Sequence, residues 1–262
     1  MLTESLKPLL RRALPGPYGS VQSTLATYRS KRVVRALVKQ YGLVVQAGPF
    51  AGMSYVTQAV CSTLAPKLLG SYEAELHDVL ARIFATDYET VVDVGCAEGY
   101  YAVGLAMRLP QARVHAFDID ARARQLCATM AQANNVSAQV AIEGACTHER
   151  LQALTQGART LVVCDCEGYE LELLQPERVP GLRTSELLVE LHDMIDPRIT
   201  PAITARFAAT HEITLLDSVE RDADAYPALK DFNLLTRRVA VSEFRDGPMQ
   251  WAFMQPKRAA TN

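Results

Sequence analysis

Apolar runs of strand length alternate with segments of helical length over most of the chain after residue 89. Six runs are rich in β-branched and other apolar residues: 90–95, 113–118, 139–144, 160–165, 187–192 and 212–217. A helix-length segment follows each of the first five, and a seventh run, 249–256, predicts a final strand. This alternation predicts parallel βαβ units with right-handed crossovers and helices on both faces of the sheet.

The chain before the first strand is predicted to be mostly helical. Apolar residues recur there at amphipathic spacing: Val33, Val34, Leu37 and Val38. Proline and glycine interrupt the helical pattern at 15–17 and 48–53. We therefore expect an N-terminal helical extension over 1–88, followed by an α/β domain over 89–262.

Two irregular segments are candidates for shaping a binding site. The stretch 48–53 carries Phe50 between two glycines, which fits either a lid or a simple turn between helices. The segment 218–248 interrupts the alternation with Pro227 and contains one short helical candidate near 234–241. We expect this segment to be an insertion on the substrate side of the domain, because irregular connections often select substrates.

The stretch 91–106, VVDVGCAEGYYAVGLA, predicts a strand, a tight turn and a helix. The free N–H groups and the dipole of such a helix face whatever lies beyond the end of the strand. Gly95 and Gly99 are expected to let a ligand approach the backbone, since a side chain would intrude there. The turn therefore predicts a nucleotide or nucleoside site.

Acidic residues near this turn leave the kind of nucleotide open. A dinucleotide fold would show G-x-G-x-x-G, but Ala97 stands at its second glycine and Asp93 precedes Gly95 by two residues. Asp118 ends the next strand-like run, where a carboxylate can accept hydrogen bonds from the ribose hydroxyls of NAD or of adenosine. The alternative for Asp118 is a helix N-cap, a role that Asp120 can also fill.

Composition excludes several function classes. The chain has 262 residues, a formal net charge of −2 and a pI of about 6.2, so we expect neither nucleic acid nor a membrane surface as a partner. No apolar run approaches the ~20 residues of a membrane span, and the start lacks a signal-peptide core, so we expect a cytoplasmic protein. The six cysteines form no C-x-x-C pair and are expected to be reduced, with Cys164 and Cys166 on opposite faces of a strand.

Four motifs resemble a known family. DVGCAEG, 93–99, resembles the E/D-x-G-x-G-x-G signature of class I S-adenosylmethionine-dependent methyltransferases, and AFDID, 116–120, resembles their acidic second motif. LVVCDCEGYELELL, 161–174, followed by LLVELHD, 187–193, looks like the paired motifs of FkbM-type methyltransferases. The resemblance covers about residues 88–217. It implies a Rossmann-like seven-stranded sheet in the order 3-2-1-4-5-7-6, with an antiparallel final strand. It also implies methyl transfer from S-adenosylmethionine, with S-adenosylhomocysteine as product, usually to an oxygen of a small molecule.

Carried over to this sequence, the resemblance implies that Asp93 and Gly95 bind the methionine end of the cofactor and that Asp118 binds the ribose. Ala97 departs from the frequent glycine but is still small, and Ala145 stands where an acid is often found near the adenine. Glu143 or a backbone group is expected to serve instead. The remaining cofactor contacts that we expect are Cys96, Ala97, Gly99, Tyr100, Ile119, Asp165 and Tyr72.

Three side chains are candidates for chemistry. The methyl group of a sulfonium is already activated, so the protein must align the reactants and remove a proton from the nucleophile. Asp165 and His192 end the fourth and fifth strand-like runs, and Glu167 follows the fourth; the carboxyl ends of these runs meet at one sheet edge. His192, with an ordinary pKa near 6.5, is the candidate base. The alternatives are that His192 only holds a loop and that Asp165 only accepts from a loop N–H.

Asp, Glu and His at one edge could also hold a divalent cation, which lowers the pKa of a substrate hydroxyl. Nothing in the spacing requires a metal, so we favour a site without one. Two other functions stay open: a nicotinamide-dependent oxidoreductase on a similar sheet, and a non-catalytic S-adenosylmethionine-binding protein. The identity of the acceptor and the oligomeric state are open too, with a homodimer as one alternative.

Overall fold

The computed structural model describes residues 20–60, 62–245, 247 and 249–257. Within these residues seven strands form one mixed sheet in the spatial order β3-β2-β1-β4-β5-β7-β6. The strands are β1 Thr90–Val94, β2 Arg113–Phe117, β3 Val140–Glu143, β4 Thr160–Cys164, β5 Glu186–Leu191, β6 His211–Asp217 and β7 Gln250–Pro256. Strands β1 to β5 are parallel, and β7 runs antiparallel to β5 and β6. The predicted fold and strand order are confirmed.

Helices connect the strands and cover both faces of the sheet. They are α1 Ser20–Tyr41, α2 Leu64–Leu69, α3 His77–Phe84, α4 Tyr100–Arg108, α5 Ala121–Ala133, α6 His148–Thr155, α7 Glu170–Leu173, α8 Ile199–Phe207 and α9 Leu234–Val241. Side-chain caps mark several starts, because the first N–H groups of a helix lack internal partners. Asp120 accepts from the N–H of Arg122 at 2.8 Å, and Asn233 accepts from the N–H of Thr236 at 2.9 Å.

Two apolar cores lie on the two faces of the sheet. Alternate residues of a strand point to opposite faces, so Val91 joins one core and Val92 the other. The first core packs against α1 to α5 and α9, and the second packs against α6 to α8. Asp93 has the same parity as Val91 and therefore projects toward the first core.

The N-terminal extension is part of the first core. Val33 and Leu37 of α1 are buried, as their spacing predicts; residues 1–19 of the expected extension lie outside the described residues. Phe50 is also buried, and its ring packs edge-on against Tyr100 with centroids 5.1 Å apart. The alternative of a lid at 48–53 is therefore wrong, and this stretch is a turn whose aromatic side chain fills the core.

The expected insertion at 218–248 contains two short 3-10 turns, Ala223–Ala225 and Pro227–Leu229, and then α9. Helix α9 packs against α1 and α2. Asp246, Pro248 and Cys61 lie outside the described residues. None of the described helices is both long enough and apolar enough to cross a membrane.

Candidate active site

The turn between β1 and α4 is shaped by the approach of other parts of the chain. Gly95 and Gly99 have φ of 86° and 99°, in the left-handed region that favours glycine. A Cβ on Gly95 would lie 1.7 Å from the carbonyl oxygen of Asp165, and one on Gly99 would lie 2.8 Å from Sγ of Cys127. Both glycines therefore make room for protein neighbours, and the expected approach of a ligand to their backbone stays a prediction.

Asp118 closes this turn from the end of β2. Its Oδ2 accepts from the N–H of Ala97 at 2.9 Å, and its Oδ1 accepts from the N–H of Asp120 at 2.8 Å. Asp120 is the N-cap of α5, so the alternative of an N-cap role for Asp118 is wrong. A carboxylate offers about four lone-pair sites, which leaves Asp118 able to accept from two further hydroxyls. Ile119 beside it is exposed.

Asp93 is a buried carboxyl with an unsatisfied oxygen. Only 1% of its surface is exposed, and Oδ2 has no hydrogen-bond partner among the described residues. Burial raises the pKa of Asp93 to about 7, and the nearby Asp118 carboxylate adds to this shift. Such a group fits a cationic ligand, because a buried unpaired acceptor is costly.

Glu98 ties the same turn to the N-terminal extension. Its fully buried carboxylate accepts from Lys67 at 2.6 Å, from the N–H of Val60 at 2.9 Å and from the hydroxyl of Tyr55. Nζ of Lys67 also lies 4.7 Å from the ring centroid of Tyr72. These contacts join segments far apart in the chain, and no spacing in the sequence predicts them.

His192 lies among carboxylates at the ends of β4 and β5. Its Nδ1 is 2.7 Å from Oε1 of the buried Glu170, and its Nε2 is 3.5 Å from Oδ1 of Asp165 and from Oε2 of Glu190. Oε2 of Glu167 is 3.9 Å from the same Nε2. Burial favours the neutral ring, but the hydrogen bond to Glu170 and the surrounding carboxylates outweigh it and raise the pKa of His192. The three predicted catalytic residues are thus brought together.

Arg245 connects this cluster to the N-terminal extension. Its Nη1 contacts Glu190, its Nη2 lies 2.6 Å from Oε1 of Glu73, and its Nε lies 2.7 Å from Oε2 of Glu243. Glu73 also accepts from the hydroxyl of Tyr101. Burial, followed by the charge of Glu190, raises the pKa of Glu73 to about 8. The sequence did not indicate Arg245, Glu73, Glu190 or Glu243 as part of the site.

A divalent cation fits the cluster only in part. Single ligand atoms of Asp165, Glu190 and His192 lie within 4.8 Å of one another. Arg245, however, already donates to the Glu190 carboxylate and so supplies positive charge that a metal would otherwise bring. A site without metal stays our prediction.

Two expectations at the sheet edge need correction. Glu143 is held by Arg150, with N···O distances of 2.8 and 2.7 Å. It does not line the cavity of about 1420 Å³ that contains Asp118, so the structure gives no support to its expected role near the adenine. Cys164 and Cys166 do not point to opposite faces, since their sulfur atoms are 3.4 Å apart. The strand ends at Cys164, so strand alternation no longer applies to Cys166.

One cavity of about 1420 Å³ joins the glycine turn to the His192 cluster. It exceeds the roughly 300–1,000 Å³ of a typical ligand pocket, which gives room for two ligands. Three non-glycine residues with positive φ line it, Ala97, Glu167 and Phe244, and such strained conformations gather at functional sites. The expected site residues that line the cavity are Tyr72, Asp93, Gly95, Cys96, Ala97, Tyr100, Asp118, Ile119, Asp165, Glu167 and His192; Gly99 and Glu143 do not.

The family model of the methyltransferase small domain matches residues 77–155. This segment contains β1, the glycine turn, Asp118 and β3. No curated protein matches the chain. The match covers less than a third of the chain and shows that this segment is similar to a methyltransferase domain. The class I family, the FkbM-like subfamily and S-adenosylmethionine as the cofactor stay predictions.

Solved structures share the fold at low sequence identity. A precorrin-6y C5,15-methyltransferase from Geobacter metallireducens GS-15 has a TM-score of 0.50 and 10% identity, over 78% of this chain and 93% of its own. A putative O-methyltransferase from Klebsiella pneumoniae has a TM-score of 0.46 and 12% identity, over 95% of both chains. The O-methyltransferase TomG from Streptomyces achromogenes, in complex with SAM, has a TM-score of 0.44 and 13% identity, over 88% of this chain and 96% of its own. Of these three, the precorrin-6y methyltransferase alone reaches a TM-score of 0.5, and at 10% identity its likeness concerns the fold alone.

Proposed function

We propose that this protein transfers the methyl group of S-adenosylmethionine to a hydroxyl of a small molecule. The observation that carries the proposal is the single cavity that joins the glycine turn and Asp118 to the Asp165, Glu190 and His192 cluster. When bound, S-adenosylmethionine supplies an activated methyl group. The protein then has to hold the two reactants in line and accept a proton from the acceptor.

The cofactor half of the cavity offers contacts for each end of the donor. The unpartnered Oδ2 of Asp93 accepts from the ammonium group of the methionine moiety, which satisfies a buried acceptor. Asp118 accepts from the ribose hydroxyls, and the exposed Ile119 beside it provides an apolar surface for the adenine. Tyr72 and Tyr100 form the wall nearest the extension, with ring centroids 5.1 Å apart.

The acceptor half holds the base. Because Glu170 accepts from Nδ1 of His192, the lone pair of the neutral ring lies on Nε2, which is the atom close to Asp165. Nε2 takes the proton of the acceptor hydroxyl as the oxygen attacks the methyl group. The carboxylates of Glu170 and Glu190, 2.7 and 3.5 Å from the ring nitrogens, stabilise the imidazolium that results. Burial, followed by the charge of Glu190, raises the pKa of Asp165 well above its ordinary value, so Asp165 positions the acceptor, and Glu167 lies at the outer side of the cluster. A hydroxyl acceptor is favoured because it needs such a base.

Calorimetry and methyl-transfer assays test this proposal together. We expect S-adenosylhomocysteine to bind and NAD(P) not to bind; binding of NAD(P) alone would favour the oxidoreductase instead. With radiolabelled methyl donor and a cell extract, His192→Ala is expected to keep the affinity for S-adenosylhomocysteine and to lower label transfer by about a hundredfold, the usual worth of a general base. Equal transfer by His192→Ala, Asp165→Ala and the parent protein would favour a non-catalytic binding protein.

A further inference from the structure

Apolar side chains surround the mouth of the cavity next to the His192 cluster. Tyr169, Met194, Ile195 and Phe244 all line the cavity and are exposed by 38 to 49%. A single exposed apolar side chain is ordinary, but a set around a cavity indicates a surface for an apolar ligand. We call these four residues the apolar rim.

Three separate segments build the apolar rim. Tyr169 follows β4, Met194 and Ile195 follow β5, and Phe244 follows α9. A Cβ on Gly168 would lie 2.9 Å from Cγ2 of Ile195, and a Cβ on Gly247 would lie 3.0 Å from Sδ of Met194, so the three segments are in contact. Phe244 has φ of 53°, an unusual conformation for a bulky residue, and keeps its ring at the mouth.

The charges that line the cavity are mostly negative. The described lining residues include ten carboxyl groups but only four side chains of lysine or arginine. Burial raises the pKa of two of the ten, Asp93 and Asp165, which leaves eight against four. Each of these four cations already has a carboxylate partner. Three pairs, with their N···O distances, are Lys67–Glu98 at 2.6 Å, Arg178–Glu172 at 3.2 Å and Arg198–Asp196 at 2.8 Å.

The fourth cation, Arg245, is the one bonded to the His192 cluster through Glu190. Its three nitrogens each contact a different carboxylate, those of Glu243, Glu190 and Glu73. Three of its five N–H donors are therefore engaged, and three carboxylates surround its single positive charge. An anion beside His192 would face the carboxylates of Glu167, Glu170 and Glu190, and like charges discriminate against a ligand in a buried site.

We propose that the methyl acceptor is a neutral or cationic molecule whose apolar face rests on the apolar rim while its hydroxyl lies at Nε2 of His192. This inference rests on the proposed methyl transfer and adds the class of acceptor. It excludes phosphorylated and carboxylated acceptors, and it makes Tyr169 and Phe244 specificity-determining contacts.

Fractionation of an extract tests the charge of the acceptor. Metabolites that pass a size filter are divided on an anion-exchange resin into retained and unretained fractions, and each is incubated with the full chain and radiolabelled S-adenosylmethionine. We expect the unretained fraction to give at least about tenfold more labelled product than the retained fraction. Label from the retained fraction, or from the macromolecules held by the filter, would overturn the inference. Label in no fraction would overturn the methyl-transfer function on which it rests.

Substitutions in the apolar rim test the second half of the inference. With the unretained fraction, Phe244→Ala and Tyr169→Ala are each expected to lower the labelling rate about tenfold, as loss of an aromatic anchor does. Their affinity for S-adenosylhomocysteine should stay at the parent value, which also shows that they fold. Leu235→Ala is the matched control, because Leu235 is 53% exposed but does not line the cavity. Equal labelling by Phe244→Ala, Tyr169→Ala and the parent protein would overturn the role of the rim.

Discussion

Oε1 of Glu170 lies 2.7 Å from Nδ1 of His192, and both side chains are buried. A carboxylate accepts a hydrogen bond and cannot donate one, so this contact places the proton of the neutral ring on Nδ1. The lone pair is then on Nε2, the atom that lies 3.5 Å from Asp165 and from Glu190. Glu170 thus determines which ring nitrogen can act as a base.

Replacing Glu170 by glutamine should lower the pKa of His192. Burial alone lowers this pKa, and the hydrogen bond and charge of Glu170 head the contributions that raise it. Because the neutral ring is the base, methyl transfer should increase as the pH rises through the pKa of His192. In Glu170→Gln that increase should begin at a lower pH.

An NMR titration of the His192 ring, alongside the pH dependence of label transfer, measures this effect. Glu177→Gln is the control, since Glu177 is exposed and pairs with Arg183 at the surface. A His192 titration that is the same in Glu170→Gln and in the parent protein would contradict the assigned role of Glu170.

Binding of S-adenosylhomocysteine should depend on the ionisation of Asp93. The carboxyl has a pKa of about 7 because it is buried, and only its charged form pairs well with the ligand's ammonium group. Affinity should therefore rise between about pH 6 and about pH 8, on either side of that pKa. Calorimetry should find this rise in the parent protein and a flat, weaker affinity in Asp93→Asn. A similar rise in Asp93→Asn would assign the pH dependence to another group.

Asp118→Ala should weaken binding of S-adenosylhomocysteine by about tenfold or more, since it removes charged hydrogen-bond acceptors. Asp120→Ala is the matched control two residues away. Loss of the α5 N-cap should lower the free energy of unfolding by about 1 kcal/mol without changing that affinity. Unchanged affinity in Asp118→Ala would show that the ribose binds elsewhere.

The sequence predicted the fold almost completely. Strand positions agree to within one or two residues and α9 spans the predicted 234–241, because the apolar pattern and the breaks between runs are local properties. Glu190 was missed although a signal existed: it precedes His192 by two residues, so strand alternation puts both side chains on one face. Residue spacing gives no comparable signal for Lys67 beside Glu98 or Arg245 beside Glu73, since these partners come together only through the tertiary fold.

Gly95→Ala should destabilise the protein more than Gly52→Ala. Both glycines have positive φ, 86° and 88°, so both substitutions carry the strain of a left-handed alanine. Only at Gly95 would the new Cβ also overlap a neighbour, the carbonyl oxygen of Asp165, whereas nothing lies within 4 Å at Gly52. Urea unfolding should give a loss of about 1 kcal/mol for Gly52→Ala and a clearly larger loss for Gly95→Ala. Equal losses would mean that β4 does not approach the turn this closely.

Separating the buried pair of Lys67 and Glu98 should cost about 3–5 kcal/mol of the free energy of unfolding, because either partner alone leaves an uncompensated buried charge. Lys67→Met and Glu98→Gln should each show this loss in urea unfolding, and the double variant should recover part of it. Arg183→Ala breaks an exposed pair with Glu177 and should change stability by less than about 1 kcal/mol.

The contribution of Glu98 to the free energy of unfolding should decrease as the pH falls. Burial alone would raise the pKa of Glu98, but the charge of Lys67 and the hydrogen bonds of Lys67, Tyr55 and Val60 outweigh it and hold the pKa below its ordinary value. A lowered folded-state pKa gives stability that is present above the unfolded value and is lost as the pH falls through the folded value. The difference in unfolding free energy between the parent protein and Glu98→Gln should therefore be largest near neutral pH and shrink below about pH 4.5. A difference that grows on acidification would mean that Lys67 does not hold this carboxylate in its charged form.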